Sequence, residues 1–178
     1  MRESSDPSAE TIGGGDCAAR NPDVQGLSIA MQLTFSTDYS LRVLMYLAVN
    51  RHRLVNISEI ADRFAISRNH LVKVVHKLAR GGFIKSYRGK GGGIELAREP
   101  AHINVGEVVR YTEGPPKPVE CFDAEKNRCI IAGACGLADV IDEACDNFFT
   151  TLDRYTLANL LKRRARLAKI LASRPGLA

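Results

Sequence analysis

Apolar residues recur at helical spacing from residue 41 onward. Leu41, Leu44, Met45 and Ala48 fall at i, i+3, i+4 and i+7, marking one face of a helix that runs to Val49, with Thr37 placed to cap it. A second helix buries Ile57, Ile60, Ala61 and Phe64, and opens on Asn56-Ile57-Ser58-Glu59, which has the form of a capping box. After the short turn Ala65-Ile66, Ser67 can cap a third helix. Its inner face is Leu71, Val74, Val75 and Leu78, and Gly81-Gly82 stop it. Its outer face carries Arg68, Asn69, His70, Lys73 and Lys77.

The period then changes from helical to extended. Residues 83–87 read as a strand, Arg88-Gly89-Lys90-Gly91-Gly92-Gly93 as a flexible basic tip, and residues 94–97 as the returning strand. Two helices joined by a tight turn form a helix-turn-helix, and a hairpin after it makes a winged helix. The third helix would enter the major groove of DNA and the wing tip would follow phosphates or the minor groove. The candidate DNA-reading residues are Ser67, Arg68, Asn69, His70 and Lys73 on the helix, with Arg88, Lys90 and Gly91 on the wing. Arg68 can take guanine edges and Lys73 phosphate. A dinucleotide loop is excluded, because Ile94 stands where the third glycine belongs and a strand follows where a helix is required. A plain hairpin turn is the competing interpretation, and the adjacent helix pair favours the wing.

Asn104-Val105-Gly106-Glu107 caps a short helix to about Glu113. Past Gly136 the helical pattern returns with Leu137, Val140, Ile141, Ala144, Phe148 and Leu152. Thr156 can recap a continuation through Leu157, Leu160, Leu161, Leu167 and Leu171. A helix this long, projecting past a small domain, needs a partner, and a second copy is the simplest; folding back onto its own domain is the alternative. The expected fold is therefore mainly α with a small β-hairpin wing: a winged helix-turn-helix DNA-binding domain plus a long C-terminal dimerisation helix. The predicted divisions are a disordered N-terminal extension (1–30), the DNA-binding domain (31–113), a cysteine-rich loop (114–136), the dimerisation helix (137–171) and a tail (172–178).

Charge sharpens this reading. The net charge of +5 is modest, but residues 31–98 carry +8 while residues 1–30 carry −3, 99–145 carry −5 and 146–178 carry +5. The strongest positive block coincides with the predicted DNA reader, as phosphate attraction requires. Lys162, Arg163, Arg164, Arg166 and Lys169 read as a solvated face. No apolar run reaches the roughly 18 residues of a membrane span, and the N-terminus lacks the basic-then-apolar order of a signal peptide. A cytoplasmic location is expected, where thiols stay reduced.

The cysteines then carry the chemistry. Cys121, Cys129 and Cys135 are spaced Cys-x7-Cys-x5-Cys in a stretch barred from helix by Gly114, Pro115, Pro116 and Pro118. A loop this long needs a reason, and thiolates converging on soft iron or zinc would supply one. Zinc prefers four protein ligands at short spacings such as Cys-x2-Cys, absent here, so a structural zinc protein with a protein-binding role is the weaker alternative. Nor is there a Cys-x-x-Cys or a Ser/His/Asp set to suggest an enzyme. Cys145, on the apolar side of the long helix, reads as a small hydrophobe, and Cys17 lies in the N-terminal extension. His70 and His76 have no metal-ligand spacing with the cysteines.

These features together resemble the family of iron–sulfur winged-helix repressors. The resemblance spans nearly all of residues 31–171. It rests on Leu33-Thr34 with residues 37–42, on 60–64, on 66–71 with 73–75, on 88–93, on 105–110, on the three cysteines, and on 152–158. Residues 67–75 and 155–158 look most like the nitric-oxide-sensing branch. The resemblance implies a homodimer that binds double-stranded operator DNA with an iron–sulfur cluster (4Fe–4S or 2Fe–2S) intact and releases it after nitric oxide attack. It also implies the ligands: Cys121, Cys129 and Cys135 match the family's three cysteines, and Asp38 matches an aspartate reaching across from the other subunit. Read by itself, Asp38 simply charges the first turn of its helix, where the dipole favours it. The cluster-biogenesis branch has a His three residues after the third Cys, where this chain has Ala138. A regulator of the same family answering iron, redox poise or cluster supply is the nearest alternative. The first cysteine gap is longer than in many relatives, and the second fits.

Overall fold

The helix that organises the domain is α1, Phe35–Val49, and it is buried on nearly every side. In the computed structural model, which describes residues 33–173, Val43, Leu44, Tyr46, Leu47, Ala48 and Val49 of α1 all lie in the core. The stripe predicted from Leu41, Leu44, Met45 and Ala48 was thus too narrow: Leu41 and Met45 are only half-buried. The helix also begins earlier than expected, with Thr34 as its cap. Thr37 lies inside the first turn, fully buried, and donates its hydroxyl to Thr112 Oγ1 at 2.7 Å. Either threonine could cap; the neighbouring helix decides which one does.

The second helix, α2 (Ile57–Phe64), is capped by Asn56, whose side chain accepts the Ser58 N–H at 2.9 Å. Glu59 does not complete the expected box. It accepts the Tyr46 hydroxyl at 2.6 Å and pairs with Arg53, because a deeply buried phenol and an arginine outcompete an exposed backbone N–H. Ala65 takes the left-handed conformation, φ +51°, turning the chain tightly into Ile66 and Ser67. Helix α3, Arg68–Arg80, packs on α1 through Leu71, Val74, Val75 and Leu78, and the chain turns at Gly81-Gly82 as predicted.

The wing is β1 (Ile84–Tyr87) paired antiparallel with β2 (Gly93–Leu96), in the register Ile84↔Leu96 to Tyr87↔Gly93. Val55 adds a bridge on the far side of β2, exchanging two backbone bonds with Ile94 at 2.9 and 3.0 Å. Ile84, Ile94 and Val55 point into the core, so the wing's base is fixed while its tip is free. Helix α4, Val105–Glu113, is capped by Asn104 as expected, through the Glu107 N–H at 3.0 Å.

The C-terminal helical run predicted over 137–171, with Thr156 recapping it, is three helices: α5 (Gly136–Asp153), α6 (Leu157–Leu160), which Thr156 caps as expected, and α7 (Arg164–Ala172). The break after α5 has a clear cause. Thr156 and Asn159 form a capping box, and the backbone at 155–157 pairs with Ile103 and Val105 at 2.8–2.9 Å. Leu157 and Leu171 then enter the core beside α1. Arg164 donates to the Val49 carbonyl at 3.1 Å and Arg63 to the Ser173 carbonyl at 2.6 Å, fastening α7 to α1 and α2. Helix α5 is the opposite case: none of its 18 residues is buried. The predictions for residues 1–30, for Cys17 and for most of the tail lie outside the described residues.

Candidate nucleic-acid interface and cysteine loop

Helix α3 presents Ser67, Arg68, Asn69, His70 and Lys73 to solvent, while the opposite face of the same helix is buried. Ser67 occupies the cap position without a side-chain cap bond, so its hydroxyl is free for another partner. Arg68 Nε donates to Ser58 Oγ at 3.2 Å, which leans the guanidinium on the start of α2. Lys77 departs from the polar face assigned to it. It is half-buried and donates its Nζ to the Thr112 carbonyl at 2.6 Å, a natural site for an ammonium at a helix C-terminus.

On the wing tip, Arg88, Lys90 and Gly91 are exposed. Gly89 and Gly91 have φ of +95° and +83°, conformations that side chains rarely adopt, and Gly92 donates its N–H to the Gly89 carbonyl at 3.0 Å. The sequence Gly-Lys-Gly thus builds a tight reversal that holds two cations clear of the sheet. The Tyr87 hydroxyl donates to Glu95 at 2.7 Å and braces the strands beneath it.

The cysteine loop leaves α4 at Gly114, φ +78°, and reaches α5 through two single-turn 3-10 segments, Glu120–Phe122 and Ala132–Ala134. Cys121 lies in the first and is half-buried. Cys129 is exposed, with its N–H on Asn127 Oδ1 at 3.0 Å. Cys135 is half-buried at the cap position of α5. The long first gap is taken up by a turn centred on Asp123. Its carbonyl accepts the N–H groups of Lys126 and Asn127, and its carboxylate pairs with Lys117 at 3.0 Å. All three thiols are free, as is Cys145, which is half-buried on α5.

Among the described residues the structure does not gather three His, Cys, Asp or Glu side chains into a metal site. The cysteines share one loop but do not converge, and Asp38 is engaged elsewhere. Both its oxygens are held by Arg42, at 2.7 and 2.9 Å, and that guanidinium lies 5.9 and 6.0 Å from the ring centres of Tyr39 and Phe64. The donor chemistry still fits thiolate-held iron: three unpaired thiols stand on one loop whose backbone is closed only by short turns. Asp38 could join them only by leaving Arg42.

Two features escaped the sequence reading. Val55 sits in a segment with no strand pattern of its own, and only its partner Ile94 reveals it. The run Tyr111-Thr112-Glu113 read as an ordinary helix end, yet each residue bonds to another helix.

A helix-turn-helix backed by a two-stranded wing, with an exposed polar recognition helix, defines the winged-helix class of DNA-binding regulators. The chain belongs to the Rrf2 family, iron-dependent transcriptional regulators, which matches residues 33–163. It is 49% identical over 142 residues to the HTH-type transcriptional regulator NsrR of Bacillus subtilis, covering 79% of this chain and 97% of that one. The NsrR of Bacillus licheniformis is 46% identical over 143 residues, covering 80% and 100%. Among solved structures, T. potens IscR superimposes with a TM-score of 0.61 at 28% identity, over 77% of this chain and 90% of that one. These relatives are regulators, not enzymes. No helix among the described residues is long and apolar enough to cross a membrane.

Proposed function

We propose that this protein is a homodimeric cytoplasmic repressor that holds operator DNA while an iron–sulfur cluster, 4Fe–4S or 2Fe–2S, is in place, and lets go when nitric oxide attacks it. The observation that carries the reading is the pairing of three free thiols on one irregular loop with a winged helix of an iron-dependent family. Cys121, Cys129 and Cys135 would supply the thiolates and Asp38 of a second copy the fourth ligand. When bound, such a cluster supplies iron that nitric oxide can attack, most readily where a hard carboxylate holds it less tightly than thiolate does. Asp38 lies in the first turn of α1, the helix on which the reader is packed, so release of its carboxylate would return it to Arg42 and alter the seating of α1. Ser67, Arg68, Asn69, His70 and Lys73 would read bases and nearby phosphates, with Arg88, Lys90 and Gly91 on the flanking backbone.

The second copy is supported by α5. Leu137 and Val140 are 60% and 62% exposed on a helix with no buried residue, and an apolar stripe left in water on 18 residues calls for a matching stripe. The nitric-oxide reading is preferred over cluster supply because Ala138 stands where the biogenesis branch has its histidine.

The test is purification without oxygen, a visible absorbance spectrum, and DNA binding followed during nitric oxide titration. Coloured protein whose DNA affinity falls in step with bleaching supports the reading. Colourless, iron-free protein that binds the same duplex as firmly overturns it, and colourless protein containing zinc would select the structural alternative.

A further inference from the structure

The cysteine loop is rooted in the last turn of α4, and that turn is tied to two other helices. Tyr111 donates its hydroxyl to the Lys77 carbonyl at 3.1 Å, and Lys77 Nζ donates back to the Thr112 carbonyl at 2.6 Å. The two bonds run in opposite directions between the same helices, so α3 is held to α4 by both main chain and side chain. Thr112 Oγ1 accepts from Thr37 of α1 at 2.7 Å, in a fully buried hydroxyl pair. Glu113 accepts the Thr34 N–H, which opens α1, at 2.7 Å. The next residue is Gly114, where the loop departs.

The packing around this clamp leaves little slack. The rings of Tyr111 and Phe83 lie 5.5 Å apart, and Gly81, which ends α3, faces both at distances where even a methyl would stand 2.7 Å from ring carbons. A displacement of the loop root therefore moves the Thr112 carbonyl, and Lys77 must follow it or lose a half-buried charge-assisted bond. Lys77 lies on the recognition helix, about two and a half turns beyond its exposed start.

We propose that Lys77 and Tyr111 are positioning residues that transmit the state of the cysteine loop to the recognition helix within a single chain. The proposal rests on the reading that the loop carries the release signal, but the mechanical link can be tested without any metal. Gly114→Ala strains the loop root, because its φ of +78° is one that a side chain rarely adopts, and it touches no thiol.

Amide hydrogen exchange over residues 68–80 would be measured for the full chain, for Gly114→Ala, for Tyr111→Phe, for Lys77→Met, and for each of the latter two combined with Gly114→Ala. Gly114→Ala is expected to speed exchange in the last two turns of α3 by roughly fivefold or more, the low end of typical coupling between sites. In either clamp variant it is expected to add less than about twofold. Unchanged α3 exchange in Gly114→Ala, or an undiminished effect in the combined variants, overturns the proposal. Tyr111→Phe keeps the ring on Phe83 and removes only the hydroxyl, so it decides the matter if Lys77→Met does not fold. In a second arm, anaerobic Tyr111→Phe is expected to keep the visible spectrum and DNA affinity of the parent while bleaching by nitric oxide no longer releases DNA in step. Release that still tracks bleaching overturns the proposal, whereas absence of colour in the parent protein overturns the cluster reading and leaves the exchange result to stand by itself.

Discussion

Arg110 grips both carboxylate oxygens of Asp153, at 2.6 and 2.7 Å, and so pins the end of α5 to α4. The same guanidinium lies 4.6 Å from the centre of the Phe149 ring. Gly106 lies beneath the pair, and a methyl there would collide with Asp153 Oδ1. The glycine of the capping sequence 104–107 is thus required by a neighbouring helix, not by its own turn.

Gly106→Ala should push the Asp153 carboxylate out of the fork. Arg110 holds that carboxyl below its ordinary 3.8, chiefly by hydrogen bonding. A depressed carboxylate stabilises the fold fully above 3.8 and loses that contribution as pH falls through its lower folded value. NMR titration should find the Asp153 value returned toward ordinary in Gly106→Ala. Urea unfolding of Asp153→Asn should differ from the parent at neutral pH and converge with it at strongly acidic pH.

Glu59 offers a second carboxylate with the same sign. It is held below 4.5, first by the hydrogen bond from Arg53 and then by that from Tyr46, against the opposing effect of burial. Glu59→Ala would leave the Tyr46 hydroxyl, on a residue only 3% exposed, without its acceptor. A loss of about 1–3 kcal/mol in urea unfolding at neutral pH is expected, shrinking as pH falls below 4.5.

Gly81→Ala places a methyl 2.7 Å from the rings of both Phe83 and Tyr111. Neither ring can retreat freely, since Phe83 is 1% exposed and Tyr111 is tied to Lys77. Overpacking of this kind costs about 1–3 kcal/mol, and chemical denaturation should show it.

On the proposed DNA interface, Arg68 and Lys90 should separate by the kind of loss they cause. Arg68→Ala is expected to relax discrimination at one base pair by about 1–3 kcal/mol. Lys90→Ala should weaken every duplex alike and reduce the salt-dependence slope by about 1. Binding to a set of single-base-pair variants at several salt concentrations measures both. A uniform loss for Arg68→Ala would reassign it to phosphate.

The local elements were legible because each depends on residues close in sequence. Period and caps gave α2, α3 and α4; Asn56, Ser67 and Asn104 all stand at the predicted cap positions. The glycine-rich tip gave the wing, and the three thiols on helix-barred sequence gave the loop. These are statements about a few neighbouring side chains and their own backbone, and a sequence contains that information directly.

What tertiary structure alone decided was the choice among local options of nearly equal energy. Thr34 rather than Thr37 caps α1, with its N–H held by Glu113 at the end of α4 while the buried Thr37 hydroxyl donates to Thr112. Glu59 and Lys77 turn inward because Tyr46 and the end of α4 offer stronger partners than solvent. Thr156 marked where the helical pattern after Gly136 could be recapped, but not whether the helix stops there. Ile103 and Val105 broke it by pairing with the backbone at 155–157 and drawing Leu157 into the core. Such decisions depend on contacts between residues far apart in the chain, and periodicity along the chain cannot report them.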